Sequence, residues 1–498
     1  MFLSLILAIV LSLILGTIES VRVSAVRAQA ERSLYLAANS VLASYIIPLM
    51  EDYHLFAVDG GNEKGNVDYR VPEEILTDYS HRNFPGNSGQ WFGGDMSEVK
   101  INAVTRFTDF GFKPIKRQIT EYMEKKIGHE AIVNIWANLI AGGQNLEEVK
   151  EKQLGKIEVA DQAAKEEEKV YLENGGAEPD RGDEPGQEAE DPRRGLKEIL
   201  KSGILKIVAG DQFLISKNRL DIHNSSFAVV EEQPVKEIMD FEEAGKIEED
   251  MNSNGKLPVF SEILSMGAER LLLIEYASRF FRYATWNGEV NRESVLSYEL
   301  EYLLFGHPLD EDNLASAVNK IIVIRMLFNS IFLMGNAERK TEARGLAAIL
   351  SLSIGMPFLE GIIYLLILMA WSYGEGILDC RRLIQGGEVP LLKTAKSWTT
   401  SITNLAGSIL EERIEDAQPG GLAYLDYLKL LLAFEDEDKI CMRMMNLMEA
   451  NIRLIRGYSG FCIANSIIGF EYEANYHIPG FFGQKAGYRF YRKNETCY

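Results

Sequence analysis

MFLSLILAIVLSLILGTI, Met1 to Ile18, is the stretch on which the reading of this chain turns. It holds no charged residue and is dominated by Leu, Ile, Val and Phe. As a helix it would extend roughly 27 Å at about 1.5 Å per residue, which nearly spans the hydrocarbon core of a bilayer. The expected lipid-facing residues are Phe2, Leu3, Leu5, Ile6, Leu7, Ile9, Val10, Leu11, Leu13, Ile14, Leu15 and Ile18. A cleavable signal peptide is the competing reading, and Ala28-Gln29-Ala30 offers a small-x-small site. That site lies well beyond the apolar run, behind Glu19, Arg22 and Arg27, and no basic region precedes Phe2. The segment is therefore read as a retained membrane anchor.

Beyond it, Val21 to Ile47 lacks Pro and Gly, is rich in Ala, and carries Val26, Leu34, Val41, Leu42 and Tyr45 among polar residues. This predicts one long helix from the bilayer to Pro48, whose upper half lays an apolar, small-residue face against a globular head. An ordinary anchored ectodomain on a helical stalk has the same periodicity. Flanking charge does not fix the orientation, because the positive-inside rule compares two flanks and this stretch has one. Arg22, Arg27 and Arg32 alone favour a cytoplasmic body, whereas a basic leader before an internal Met1 would reverse the argument.

The 498 residues allow two to four domains, and 46% hydrophobic with 25% charged residues describes mostly globular matter rather than a polytopic membrane protein. A net charge of −21 repels phosphates, so nucleic-acid binding is not expected. Cys380, Cys441, Cys462 and Cys497 match no zinc or redox spacing, leaving either two disulfides or buried thiols open.

Downstream of the stalk (19–50), Tyr53 to Val58 reads as a short strand and Asp59 to Gly65 as a turn, opening a small mixed α/β region over 51–145. Gly86 to Gly94 is loop-like, and helical patterning runs from Pro114 through Ile140. Leu146 to Leu172 reads as a charged helix and Asn174 to Arg194 as a solvated acidic linker, giving a boundary region at 146–195. A helical main domain follows over 196–457, with one strand expected at Ser226 to Val230. Its helices are expected at Met266 to Phe281, Val295 to Phe305, Ala315 to Met334 and Leu422 to Arg456. Over 458–498, Phe470, Tyr472, Ala474, Tyr476 and Ile478 alternate, and a terminal β-hairpin returns through Tyr488 to Arg492. The fold class is thus predominantly α, of α+β type, with a small C-terminal antiparallel β element. Gly345 to Gly374 carries only Glu360 as a charge and is interrupted by Pro357. Two core helices are the reading there, and a second membrane pass is the alternative.

Reactive constellations are absent from the sequence. His129-Glu130 begins like a zinc-protease helix, but Val133 stands where the second imidazole is needed. Ser97-x-x-Lys100 and Ser253-x-x-Lys256 lack the partner motifs of penicillin-binding enzymes. No phosphate-cradling glycine loop or nucleophile elbow occurs. The acidic clusters Asp310 to Asn313 and Glu435 to Asp438 lack calcium-loop spacing and read as helix caps or solvated faces, and Arg181-Gly182-Asp183 is read as a chance occurrence rather than an adhesive tripeptide. No catalytic residue, cofactor or metal is assigned.

Several stretches nonetheless go together. They are FLSLILAIVLSLILGTIESVRVSAVRAQAERSL (Phe2 to Leu34), YHLFAVD (Tyr53 to Asp59), RQITEYM (Arg117 to Met123), LSYELEYLLFGHPLDEDNL (Leu296 to Leu314), VPLLKTAKSW (Val389 to Trp398) and YLDYLKLLLAFEDEDKICMRMMNLMEANIR (Tyr424 to Arg453). With these the chain resembles an uncharacterised family of Gram-positive bacterial proteins, a domain of unknown function typically found among Tad (Flp) pilus components. The N-terminal helix is similar to that of TadE- and TadG-like pseudopilins. The resemblance implies a single-pass anchor with the body outside the cell, partner pseudopilin or pilus-assembly subunits, and a structural role without known catalytic residues. Relative to the pilin pattern, no basic leader and processing Gly precede the apolar run. An extracytoplasmic enzyme acting on envelope polymers and a two-pass membrane scaffold are the alternatives.

Overall fold

The computed structural model describes residues 2–62, 66–84, 91–128, 130–139, 191–201, 203–210, 213–227, 266–288, 292–410, 421–481 and 486–498. Its first element, α1 (Phe2–Leu42), is a single helix that ends short of the expected Pro48. Pro48 instead sits in the first turn of a separate short helix, α2 (Ile47–Tyr53), because its fixed φ and missing N–H suit a helix start. That helix consumes the first residue of the expected strand at Tyr53 to Val58. His54 then takes left-handed geometry (φ 54°) and caps the helix through its N–H to the Met50 carbonyl at 2.9 Å. Only Val58 forms bridges, to Tyr45 and to Ile467.

The sheet has three antiparallel strands in the order β1 (Asp95–Arg106), β2 (Ile467–Ile478), β3 (Tyr488–Cys497). The terminal hairpin is as expected, but β2 lies between β3 and a strand that periodicity did not indicate. Register shifts after Ser97, Ile101 and Thr105 interrupt the period-two pattern of β1, so its alternation is broken in the sequence. Along β2, Phe470, Tyr472, Ala474, Tyr476 and Ile478 face inward and pack on Val26, Ala30, Leu34, Ala37, Ala38 and Val41 of α1. The helix α3 (Arg70–Asn83) closes this small core with Leu76, and Ser33 Oγ on α1 donates to the Ser80 carbonyl at 2.9 Å.

Further along, α4 (Asp109–Lys126) begins ahead of the expected Pro114 with a left-handed turn through Phe110, Gly111 and Phe112. The pattern expected to continue to Ile140 breaks at Gly128 (φ 87°) and resumes as α5 over 130–139. The charged helix expected at Leu146 to Leu172 lies outside the described residues, as does most of the expected linker. Its last residues are helical, since α6 (Pro192–Lys201) starts there and is followed by α7 (Ile204–Ala209). Of the strand expected at Ser226 to Val230, the described residues Ser226 and Phe227 are not in a strand.

The helical body comprises α8 (Ala268–Phe280), α9 (Glu299–Phe305), α10 (Asp310–Gly335), α11 (Ala337–Ser353), α12 (Glu360–Ile384), α13 (Leu405–Leu410), α14 (Tyr424–Phe434) and α15 (Glu437–Arg453). The continuous helix expected at Leu422 to Arg456 is two, because Asp436 accepts the Lys439 N–H at 2.9 Å and starts a new helix. The stretch Gly345 to Gly374 is likewise divided. Gly355 (φ 73°) donates to the Leu352 carbonyl and Met356 to the Ser351 carbonyl, a paired helix-ending turn that glycine permits. One large apolar core unites these helices with Tyr53 and Leu55 from the N-terminal part. The two cores meet where Val58 and Ile467 exchange backbone hydrogen bonds of 2.7 and 2.9 Å.

Candidate functional site

From Phe2 to Ile18 the helix α1 presents apolar side chains to its surroundings on every side. All twelve expected anchor residues are exposed, from Leu15 at 36% to Leu3 at 82%. This helix is long and apolar enough to cross a membrane. Within it Ser4, Ala8, Ser12, Gly16 and Ser20 recur at every fourth position, a pattern that sequence reasoning passed over although the spacing was legible. Four of them line a shallow groove with Leu5, Ile9, Leu13 and Thr17. Small residues at this spacing let a second helix approach closely inside a bilayer.

Burial of one face of the helix begins at Glu19 and Arg22, which are 5% and 1% accessible, while Val21 on the other side stays 70% exposed. The Arg22 guanidinium donates to both Glu19 oxygens at 2.9 and 2.8 Å, to the Trp91 carbonyl at 3.3 Å, and to the Pro479 carbonyl. It also lies 4.6 Å from the centre of the Phe481 ring, while the Phe481 N–H donates to Glu19 at 3.2 Å. Charge compensation here is complete within one turn of helix, so the pair can be buried without an uncompensated ion. Above this seam the helix is held by the small core described above.

Two further polar clusters lie inside the helical body. Asp379 on α12 receives Arg325 of α10 at 3.0 Å and Lys393 at 2.6 Å, and Lys393 also donates to Glu375 and to the Ser397 carbonyl. Two basic and two acidic side chains thus face one another, and Lys393 Nζ has three oxygen partners in Asp379, Glu375 and the Ser397 carbonyl. In the other cluster, Arg292 forks onto Glu299 at 3.1 and 2.7 Å and reaches the Tyr53 hydroxyl, while Asn451 donates to Glu299 at 2.7 Å. Burial raises the Tyr53 phenol well above its ordinary range. Nearby, Glu301 accepts the Ala284 N–H and the Tyr424 hydroxyl, each at 2.9 Å, and burial pushes its carboxyl up to about 7. These clusters tie elements together, and sequence reasoning missed them because ion pairs across distant segments leave no periodic trace.

A groove of about 740 Å³ runs between the outer sheet face and α4, lined among others by Phe110, Lys113, Lys116, Arg117, Arg270 and Glu437. Lys116 is engaged by Glu437 at 3.2 Å and Asp438 at 2.7 Å, so the second acidic cluster serves as a salt-bridge partner and helix start. The first cluster is not a solvated face at its ends. Asp310 and Asn313 are fully buried, Asp310 accepting the Ser216 hydroxyl at 2.6 Å and the Ser297 N–H at 2.8 Å, and Asn313 accepting the His307 N–H at 2.9 Å. Among the described residues no three His, Cys, Asp or Glu converge as metal ligands. His129 and the Ser253 to Lys256 pattern lie outside those residues, and Lys100 is on β1 beside Glu98. All four cysteines are thiols, with Cys497 exposed and the other three buried.

No curated protein and no solved structure matches the chain. A family model described as a family of unknown function (DUF5702) matches residues 182–478, from before α6 to the end of β2. Because that match spans more than half of the sequence, the chain belongs to this family of unknown function.

Proposed function

We propose that the protein is a single-pass, membrane-anchored structural protein whose body lies outside the cytoplasm and which takes part in assembling a Tad (Flp)-type pilus. One observation carries the reading. A single helix, α1, is charge-free and exposed from Phe2 to Ile18, then turns its upper half onto an antiparallel sheet through Val26, Ala30, Leu34 and Val41. Pilin-like subunits divide their helix in this way. The pilus assignment rests on the sequence resemblance given above, and the every-fourth small residues supply a surface for partner helices within the bilayer. Deleting Phe2 to Ile18 is expected to move the protein from the membrane to the soluble fraction and to abolish any pilus phenotype. Unchanged fractionation would refute the anchor.

A two-pass scaffold has an observation of its own. Asp310–Gly335 and Pro357–Ile384 are each also long and apolar enough to cross a membrane, and either one crossing together with α1 makes two passes, although half or more of each apolar window is buried inside the protein. The exposed Cys497 separates the readings. A membrane-impermeant maleimide applied to intact cells labels it if the body is outside and α1 is the one span, and leaves it unlabelled if a second pass returns the C-terminal part to the cytoplasm.

A further inference from the structure

We infer that Trp91, Phe92 and Phe481 form an aromatic collar that seats the head directly on the lipid headgroup layer. The inference rests on the anchor reading and extends it from the helix to the head. Phe2 to Ile18 would span about 25 Å as a helix, so the following turn, Glu19 to Arg22, falls at the edge of the hydrocarbon. The Trp91 and Phe481 rings meet at that level, and Phe92 follows Trp91 in the chain. Arg22 donates to the Trp91 carbonyl at 3.3 Å and stacks 4.6 Å from the Phe481 ring, whose centre lies 5.3 Å from that of Trp91.

Two features favour lipid as the occupant. The collar is continuous with the anchor, since the same α1 turn that ends the charge-free run holds both collar segments, through Arg22 to Trp91 and Pro479 and through Glu19 to Phe481. Its charges are also spent internally, with Glu19 and Arg22 buried against each other, so no uncompensated ion faces the low-dielectric boundary. Meanwhile the rings themselves remain 41%, 51% and 41% accessible for Trp91, Phe92 and Phe481, more than shielding an ion pair requires. Trp concentrates at this depth of a membrane because its ring joins an apolar body to a polar N–H, and apolar Phe rings beside it bury in the headgroup–acyl boundary.

The test uses the full-length protein in phosphatidylcholine–phosphatidylglycerol vesicles carrying a fluorescence quencher either at the glycerol level or near the bilayer centre. Of the other four tryptophans, Trp136, Trp371 and Trp398 are buried and Trp286 is half-buried, and all four are common to wild type and Trp91→Phe, so the difference between the two proteins isolates the collar signal. The expected result is a quenching component with the glycerol-level label that is lost in Trp91→Phe and much weaker with the central label. The conservative ring exchange keeps the packing on Phe481. If the protein floats with vesicles yet shows no Trp91-dependent quenching, the collar is overturned and the anchor stands. If it does not float at all, the anchor reading falls and the collar with it.

Discussion

Arg325 Nε lies 3.0 Å from Asp379 Oδ2, and neither side chain is more than 1% accessible. This contact joins α10 and α12, the two body helices whose composition would also suit a membrane. Asp379 serves two cations at once, since Lys393 lies 2.6 Å from its other oxygen. Removing it leaves two buried cations against Glu375 alone. Asp379→Ala should therefore cost about 3–5 kcal/mol, the usual penalty for one uncompensated buried ion. The double variant Arg325→Met, Asp379→Leu restores neutrality and should recover most of that loss. Denaturant unfolding in detergent measures both, and a single variant as stable as wild type would show that the cluster is not closed as described.

A second expectation concerns pH. The Glu301 carboxyl has an ordinary value of 4.5 and is pushed up to about 7 in the fold, chiefly by burial. The folded state therefore binds a proton that the unfolded chain has released between these two values. Its contribution to stability is fully present below pH 4.5, declines as pH rises toward 7, and is flat above. The decline amounts to roughly 3 kcal/mol at most. Glu301→Gln keeps an oxygen for Ala284 and Tyr424 but cannot ionise, so its stability relative to wild type should improve on going from pH 5 to pH 7.5. The prediction is checked by urea midpoints at the two pH values, and parallel pH profiles for the two proteins would contradict it.

The left-handed turn at the start of α4 supplies a third. Phe110 has φ 55° and is 75% accessible, so its ring contributes little packing while its Cβ is strained. Glycine adopts this conformation without that steric penalty, which is on the order of 1 kcal/mol. Phe110→Gly is therefore expected to raise the unfolding midpoint slightly. A clear destabilisation would mean that the ring packs against the groove it lines and that this packing outweighs the backbone strain.

How much of this was legible in the sequence follows from the range of the interactions. The long apolar helix was, because twelve large apolar side chains stand between Phe2 and Ile18 with no charge among them. The hairpin β2–β3 was, because Phe470 to Ile478 alternates cleanly and its partner follows within a short loop. The strand β1 was not. Its bulges break the alternation, and Asp95 pairs with His477, 382 positions further along the chain (477 − 95). Nor could Lys393 or Glu375 be singled out, since a charge in the sequence reads as solvated until its partner is brought against it by tertiary packing. The helix ends were misjudged for a local reason. Leu42 and Ile47 belong to two helices whose junction has no proline or glycine before Pro48, and tertiary pairing of Tyr45 with Val58 makes the break.

The stripe of small residues in α1 yields the last prediction. A side chain added at Gly16 would meet nothing within 4 Å, so Gly16→Ile leaves the fold of the chain itself untouched. Replacing a mid-helix glycine also improves helix propensity, which removes helix weakening as an explanation for any defect. What the added side chain would obstruct is the close approach of another helix along Ala8, Ser12, Gly16 and Ser20. Membrane insertion should be unchanged, whereas association in the bilayer should fall, as measured by cross-linking of the protein to itself and to co-expressed pseudopilin-like subunits. Leu7→Ile, off the stripe, serves as the control for a change of side-chain shape. If Gly16→Ile cross-links as efficiently as wild type while Phe2 to Ile18 still anchors the protein, the helix acts as a tether alone, and contacts between subunits must be made by the head.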